Sequence, residues 1–257
     1  MRADDVLLIT HLGKALYSQL EIAHVRSAET VAAVSTLGKL NDEQSFEKAL
    51  RLLIDRANRE GTHAIQTSVS NPFFRLAPEE RAVLALLHSG KISYQRLSKV
   101  FDIDKTDLER LAWKSRVKMG QNPEISKVAP LPRGGSKVKP HCPEYDVERP
   151  WTQRLLDDEL SSQELLFIQN HCMGCDVCRR SLEDARKFYY EIEKQIPFWN
   201  PSDAENIRTS LRRASIRAGR VPSDLTVKEA LAVFLEKPEV RVAVGVFILG
   251  LVLSFIV

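Results

Sequence analysis

The chain has 257 residues, 28% of them charged and 44% hydrophobic, a composition typical of a folded protein with two or three small domains. Its net charge of +3 is too small to predict nucleic-acid binding from composition alone. The 4 cysteines all lie between positions 142 and 178, which excludes a framework of widely spaced disulfides and favours a metal site in a reducing compartment.

The N-terminal part, residues 1–72, has a helical pattern without strand alternation. Apolar residues recur at steps of three and four from Leu7 to Gly61, among them Leu20, Ile22 and Val25. One clear stripe, which needs a partner helix, consists of Phe46, Leu50, Leu53, Ile54 and Ala57. The pattern predicts a small helical bundle.

Residues 73–120 have the layout of a helix-turn-helix. A first helix opens at Pro78, with acidic residues in its first turn, and stops near Ser89 and Gly90. A second runs from Ser93 to Phe101, and a third from Lys105 to Met119. The turn between them is Asp102-Ile103-Asp104.

This module resembles region 4 of the sigma-70 class of sigma factors over residues 76–120. The matching residues are Leu76, Pro78, Glu79, Glu80, Arg81, Val83, Leu84, Ile92, Ser93, Tyr94, Leu97, Ser98, Val100, Phe101 and Ile103. The resemblance implies a module related to promoter binding. Ser45 to Asn58 also resembles the core-binding helix of sigma region 2, which implies an eroded region 2 within residues 1–72.

The module departs from the sigma family at two places. Asp102 occupies a turn position that is usually glycine, and we expect it to adopt the left-handed conformation without loss of the fold. Asp107 and Glu109 place carboxylates where phosphates and base edges would lie. We therefore predict weak DNA binding or none, and the alternative of a retained protein-interaction unit stays open.

Residues 121–140 are rich in proline, glycine and lysine and lack a periodic apolar face, which predicts a flexible linker.

A zinc site is predicted after this linker. Cys175 and Cys178, at i and i+3, can turn both sulfurs toward one ion, and His171 precedes Cys175 by one helical turn. Cys142 is the natural fourth ligand, which leaves Cys172 as an exposed or half-buried thiol. Four protein ligands define a structural Zn²⁺ site with no open position, so we predict no catalytic residues and no enzyme. A thioredoxin-like redox pair is disfavoured because no strand pattern precedes the Cys-x-x-Cys motif.

The segment between these ligands contains a helix from Trp151, an acidic turn, and a capping box of Ser161 and Glu164. The spacing Cys-x28-His-x3-Cys-x2-Cys, together with Leu-Asp-Asp-Glu-Leu-Ser at 156–161, resembles the zinc-binding anti-sigma domain of bacterial regulators. The resemblance covers residues 141–195. It implies the ligands Cys142, His171, Cys175 and Cys178 and a domain, 141–197, that keeps a sigma factor from RNA polymerase.

The remaining chain is predicted to lead to a membrane. A helix ended by Pro197 carries the apolar residues Leu182, Ala185, Phe188, Tyr189, Ile192 and Ile196. We expect its aromatics to pack on the zinc domain by default, and contact with a partner helix is the alternative. Residues 198–239 are predicted to form arginine-rich juxtamembrane helices. Residues 240–257 include an uncharged run from Val242, which predicts a single-pass anchor in the inner membrane, with the N-terminal domains in the cytoplasm. A buried core helix is the alternative for that run.

The sequence therefore predicts an all-α, membrane-tethered transcription regulator that sequesters a sigma factor through a structural zinc domain. One alternative is a sigma-like DNA-binding initiation protein that its zinc domain autoinhibits. Another is a membrane scaffold.

Overall fold

The computed structural model describes residues 3–35, 41–61, 71–88, 92–131, 142–144 and 146–197. These residues form ten α-helices and one 3-10 helix (Pro72–Arg75), with no strand among them, which confirms the predicted all-α class. The α-helices are α1 (Ala3–Leu16), α2 (Leu20–Ser35), α3 (Asp42–Arg59), α4 (Pro78–His88), α5 (Tyr94–Phe101), α6 (Lys105–Gly120), α7 (Pro123–Val128), α8 (Trp151–Leu156), α9 (Ser162–Gly174) and α10 (Asp176–Glu193).

One hydrophobic core joins the N-terminal bundle to the helix-turn-helix. The whole predicted stripe of α3 is buried in it. Three residues of the recurring apolar pattern are exposed on α2: Leu20, Ile22 and Val25. Helix α2 packs against α1 through small residues instead. At this contact, a Cβ added at Gly13 of α1 would lie 2.1 Å from the Ser27 hydroxyl oxygen. The backbones of α1 and α2 are too close there for larger side chains.

Arg81 ties α4 to the end of α1. Its buried guanidinium donates hydrogen bonds to the carbonyl oxygens of Leu16, at 2.8 Å, and Ala15, at 3.4 Å. Burial lowers the pKa of Arg81 to about 10. A cation at a helix C-terminus also complements the helix dipole, so Arg81 holds the bundle and the helix-turn-helix together.

The helix-turn-helix forms as its pattern predicts. Ser93 caps α5 and Asp104 caps α6, each through its side chain. Asp102 has φ 55° and ψ 42°, the left-handed conformation expected for an aspartate in the place of glycine. The substitution therefore leaves the turn intact.

Part of the predicted linker is helical. Asn122 caps α7, Pro123 lies in its first turn, and Ile125 and Ala129 are buried in the main core. A helix of 6 residues is too short to show a periodic apolar face in the sequence, which explains the difference. Residues 132–140 lie outside the described residues.

Helix α10 joins the two parts of the molecule. Leu182 packs on the small core around the cysteines, whereas Phe188, Ile192 and Ile196 lie in the main core. The default prediction that the aromatics pack on the zinc domain was wrong for Phe188, since the larger apolar surface is that of the main core. Helix α10 packs closely on the end of α6, where a Cβ added at Gly120 would lie 2.4 Å from the Phe188 ring.

Among the described residues, none of the helices is both long and apolar enough to cross a membrane. The juxtamembrane helices predicted for 198–239 and the anchor predicted for 240–257 lie outside that part of the chain.

Candidate metal centre and its contact with the helix-turn-helix

The end of α9 and the start of α10 bring three of the predicted ligands together. The capping box of Ser161 and Glu164 begins α9 as the sequence predicts. The helix ends at Gly174, and the backbone N–H of Cys175 donates to the His171 carbonyl oxygen at 2.9 Å. This arrangement places His171 one turn before the Cys-x-x-Cys motif, on the same side.

Cys142 completes the cluster. The candidate ligand atoms of Cys142, His171, Cys175 and Cys178 all lie within 4.8 Å of one another. The sulfurs of Cys142 and Cys175 are 3.9 Å apart, close to the separation of about 3.8 Å for two thiolates bound tetrahedrally to one ion at about 2.3 Å. The Nε2 atom of His171 is buried without a hydrogen-bond partner. An ion would satisfy that nitrogen, so the four residues could hold a metal.

The electrostatic environment differs between the two cysteines of the motif. Backbone N–H groups at the start of α10, that of Cys178 foremost, lower the pKa of Cys175 to about 6. Burial raises the pKa of Cys178 to about 12. Cys175 therefore supplies a thiolate at neutral pH, which is the form that binds metals.

Only a small apolar core surrounds this cluster. Its buried members are Trp151, Ile168, Cys172, Cys175 and Cys178. Cys172 is buried rather than exposed or half-buried as predicted, and burial raises its pKa. It is not one of the four residues whose ligand atoms converge. A core of this size is too small to fix a fold without a further constraint such as a metal.

Searches against protein-family models, curated proteins and solved structures found no match for this chain.

A buried ion pair fastens the cysteine-bearing part to the helix-turn-helix. Arg116 of α6 donates two hydrogen bonds to the carboxylate of Asp157, at 2.8 and 2.9 Å. The hydroxyl of Tyr94 donates to the same carboxylate at 2.7 Å, and Arg116 also donates to the Tyr189 hydroxyl oxygen at 2.9 Å. Burial disfavours the charge of Arg116, but Asp157 outweighs it and keeps the pKa above the ordinary arginine value. The acidic turn after α8 thus binds the helix-turn-helix.

Glu109 does not face outward as predicted. It is only 4% exposed, and the Nε atom of Arg149 lies 3.3 Å from its carboxylate. Asp107 is exposed. The buried pair leaves no pattern in the sequence, because Arg149 lies 40 positions further along in a segment without a motif. Of the two carboxylates predicted to repel DNA, only Asp107 is exposed, and it pairs with Arg110 at 3.0 Å.

His88 lies near the Arg116–Asp157 ion pair, and its environment leads us to predict that stability depends on pH. Burial, followed by the nearby Arg116 charge, lowers the pKa of His88 to about 3 from 6.5. An unfolded chain takes up this proton as the pH falls below 6.5 and the folded chain does not, so stability is lost on acidification. We expect the free energy of unfolding to fall by up to about 1.4 kcal/mol per pH unit below 6.5 through this residue.

The measurement compares denaturant unfolding of the unaltered chain and His88→Gln between pH 7 and pH 5.5. The variant should lose less stability on acidification, while metal loss affects both chains alike. Equal losses would contradict the assignment.

Proposed function

We propose that the protein is a membrane-tethered bacterial transcription regulator in which an anti-sigma-like zinc domain, residues 141–197, sequesters the sigma-like helix-turn-helix of its own chain. The observation that supports it is the buried pairing of Asp157 with Arg116, reinforced by the apolar side chains of α10 in the main core. The two parts with regulatory resemblances contact one another through buried groups.

Zn²⁺ is the metal that this set of ligands favours. Three thiolates and one imidazole are a donor set typical of structural zinc sites, and here their ligand atoms lie within 4.8 Å of one another. Four protein ligands leave no position for substrate or activated water. The zinc would hold Cys142 and α9 against α10, and we propose a binding protein rather than an enzyme.

The test purifies three tagged full-length chains from cells and identifies the proteins that copurify: the unaltered chain, Asp157→Asn and the surface control Arg110→Gln. We expect RNA polymerase core to copurify with Asp157→Asn and little of it to copurify with the other two chains. Equal recovery of RNA polymerase with all three would overturn sequestration in cis. Recovery of neither polymerase nor a sigma factor with any chain would favour a membrane scaffold.

A second candidate is sequestration of a separate sigma factor. Leu166, Phe167 and Met173 of α9 are 59%, 52% and 75% exposed, and large apolar side chains grouped on one helix are typical of a protein contact. Recovery of a free sigma factor with the unaltered chain would support this candidate over the first. DNA binding is expected to be weak in either case, because Lys105 and Arg110 of α6 already pair with Glu159 and Glu148.

The membrane anchor predicts a change of location on truncation. Deletion of residues 240–257 should move the protein from the membrane fraction to the soluble fraction without loss of helical signal, since an uncharged run from Val242 has no polar face to turn to water. Cell fractionation and far-UV circular dichroism provide the measurement. A full-length chain that is already soluble, with a truncated chain that aggregates, would show instead that the run is a core helix.

A further inference from the structure

A short segment of the zinc domain lies along α6. The segment Asp146–Arg149, here called the strap, connects Cys142 to α8. Its Val147 carbonyl oxygen accepts a hydrogen bond of 2.9 Å from the Trp113 indole N–H. Arg149 also donates to the Thr106 hydroxyl oxygen at 3.4 Å. The strap therefore contacts the helix that a helix-turn-helix presents to a partner, at Thr106 and Trp113.

The two ion pairs between the strap and α6 differ in environment. Glu109 is 5% exposed at its side chain and Arg149 is 27% exposed, so their pair is largely shielded from water. Arg110 and Glu148, 3.5 Å apart, are 46% and 74% exposed. Exposed pairs contribute little, whereas removing one partner of a shielded pair leaves a buried charge. Arg149 is therefore the residue that seats the strap.

The chain just before the strap is tied to the metal cluster through Cys142. Cys142 is five positions before Val147, and a chain of that length spans at most roughly 17 Å. An ion that holds Cys142 beside Cys175 therefore restricts where Val147 can lie. Conversely, a strap seated on α6 brings Cys142 close to the other three ligands.

We propose that metal coordination through Cys142 and seating of the strap on α6 are coupled, so that metal occupancy regulates exposure of the α6 side chains that the strap contacts, Thr106, Glu109 and Trp113. The inference rests on the proposed function only in taking the bound metal to be zinc. Coupling is reciprocal: if zinc favours the seated strap, then loosening the strap weakens zinc binding by the same factor.

The first test measures the zinc affinity of full-length chains by competition with a chelator. We expect Arg149→Gln to bind zinc at least about fivefold more weakly than the unaltered chain, the low end of typical coupling. The matched control Arg110→Gln, which removes the exposed pair, should bind zinc unchanged. Equal affinities for all three chains would overturn the coupling while leaving a zinc-bound, sequestered helix-turn-helix in place. A chain that binds no zinc would overturn both proposals.

The second test follows hydrogen exchange of the Trp113 indole N–H, assigned by comparison with Trp113→Phe. In Cys142→Ser the indole should exchange at least about tenfold faster than in the unaltered chain, whereas Cys172→Ser should leave it unchanged. Amide exchange in α1 to α3 reports whether the main core stays folded. Full protection of the indole in Cys142→Ser contradicts the proposal, and if the main core itself opens, the affinity of Arg149→Gln decides.

Discussion

Cys178→Ser should lose the bound metal and melt the zinc domain while the main core stays folded. The sulfur of Cys178 belongs to the converging set, and its removal leaves three ligands with an open position. Structural zinc supplies roughly 10–16 kcal/mol of apparent binding free energy in small domains, far more than the few buried residues around the site provide. Most of the main core comes from residues 8–129, and the zinc domain adds only Phe188, Ile192 and Ile196 to its buried members, so we expect only partial loss of the helical signal.

Metal analysis of the full-length chain under reducing conditions provides the measurement, with circular dichroism on the same samples. The unaltered chain should carry about one zinc per chain and Cys178→Ser almost none. Cys172→Ser is the matched control, since Cys172 lies in the same small core but outside the four ligands. Loss of zinc in Cys172→Ser alone would show that the ligands are wrongly assigned.

The local features of both modules could be predicted from the sequence because each is specified within a few neighbouring residues. The left-handed turn at Asp102, the capping box at Ser161 and the position of His171 before Cys175 all follow from short-range backbone geometry. Cys142 is predicted as the fourth ligand because it precedes a helix that could fold back onto the His171 helix, and its sulfur does lie in the converging cluster.

The contacts between modules could not be predicted in this way. Glu109 is next to exposed residues of α6 in sequence, and only the folded chain shows that Arg149 pairs with it. The apolar face of Phe188 and Ile192 has the right period, but periodicity does not identify which core receives it. Long-range partners of polar side chains leave no pattern in a single sequence.

Asp157→Asn should destabilise the chain by about 3–5 kcal/mol, the second large effect expected here. The side chains keep the same size, so packing is preserved, but the carboxylate that accepts two hydrogen bonds from Arg116 and one from Tyr94 is lost. The N–H hydrogens of the introduced amide would face Arg116 or Tyr94, and both of these side chains are themselves donors here. Arg116, whose side chain is 1% exposed, would then be a buried cation without a counter-ion.

The measurement is denaturant unfolding of the zinc-loaded chain. Two further variants, a control and a double variant, are compared with Asp157→Asn. Arg110→Gln removes an exposed pair and should change the free energy of unfolding by less than about 1 kcal/mol. The double variant Arg116→Met with Asp157→Leu removes both charges and should recover much of the loss, because apolar residues of similar volume often replace a buried ion pair at little cost. A double variant as unstable as Asp157→Asn would instead show that the hydroxyls of Tyr94 and Tyr189, left without Arg116 and Asp157, dominate the contact. In that case the charge of Arg116 is not what fastens the zinc domain to the helix-turn-helix.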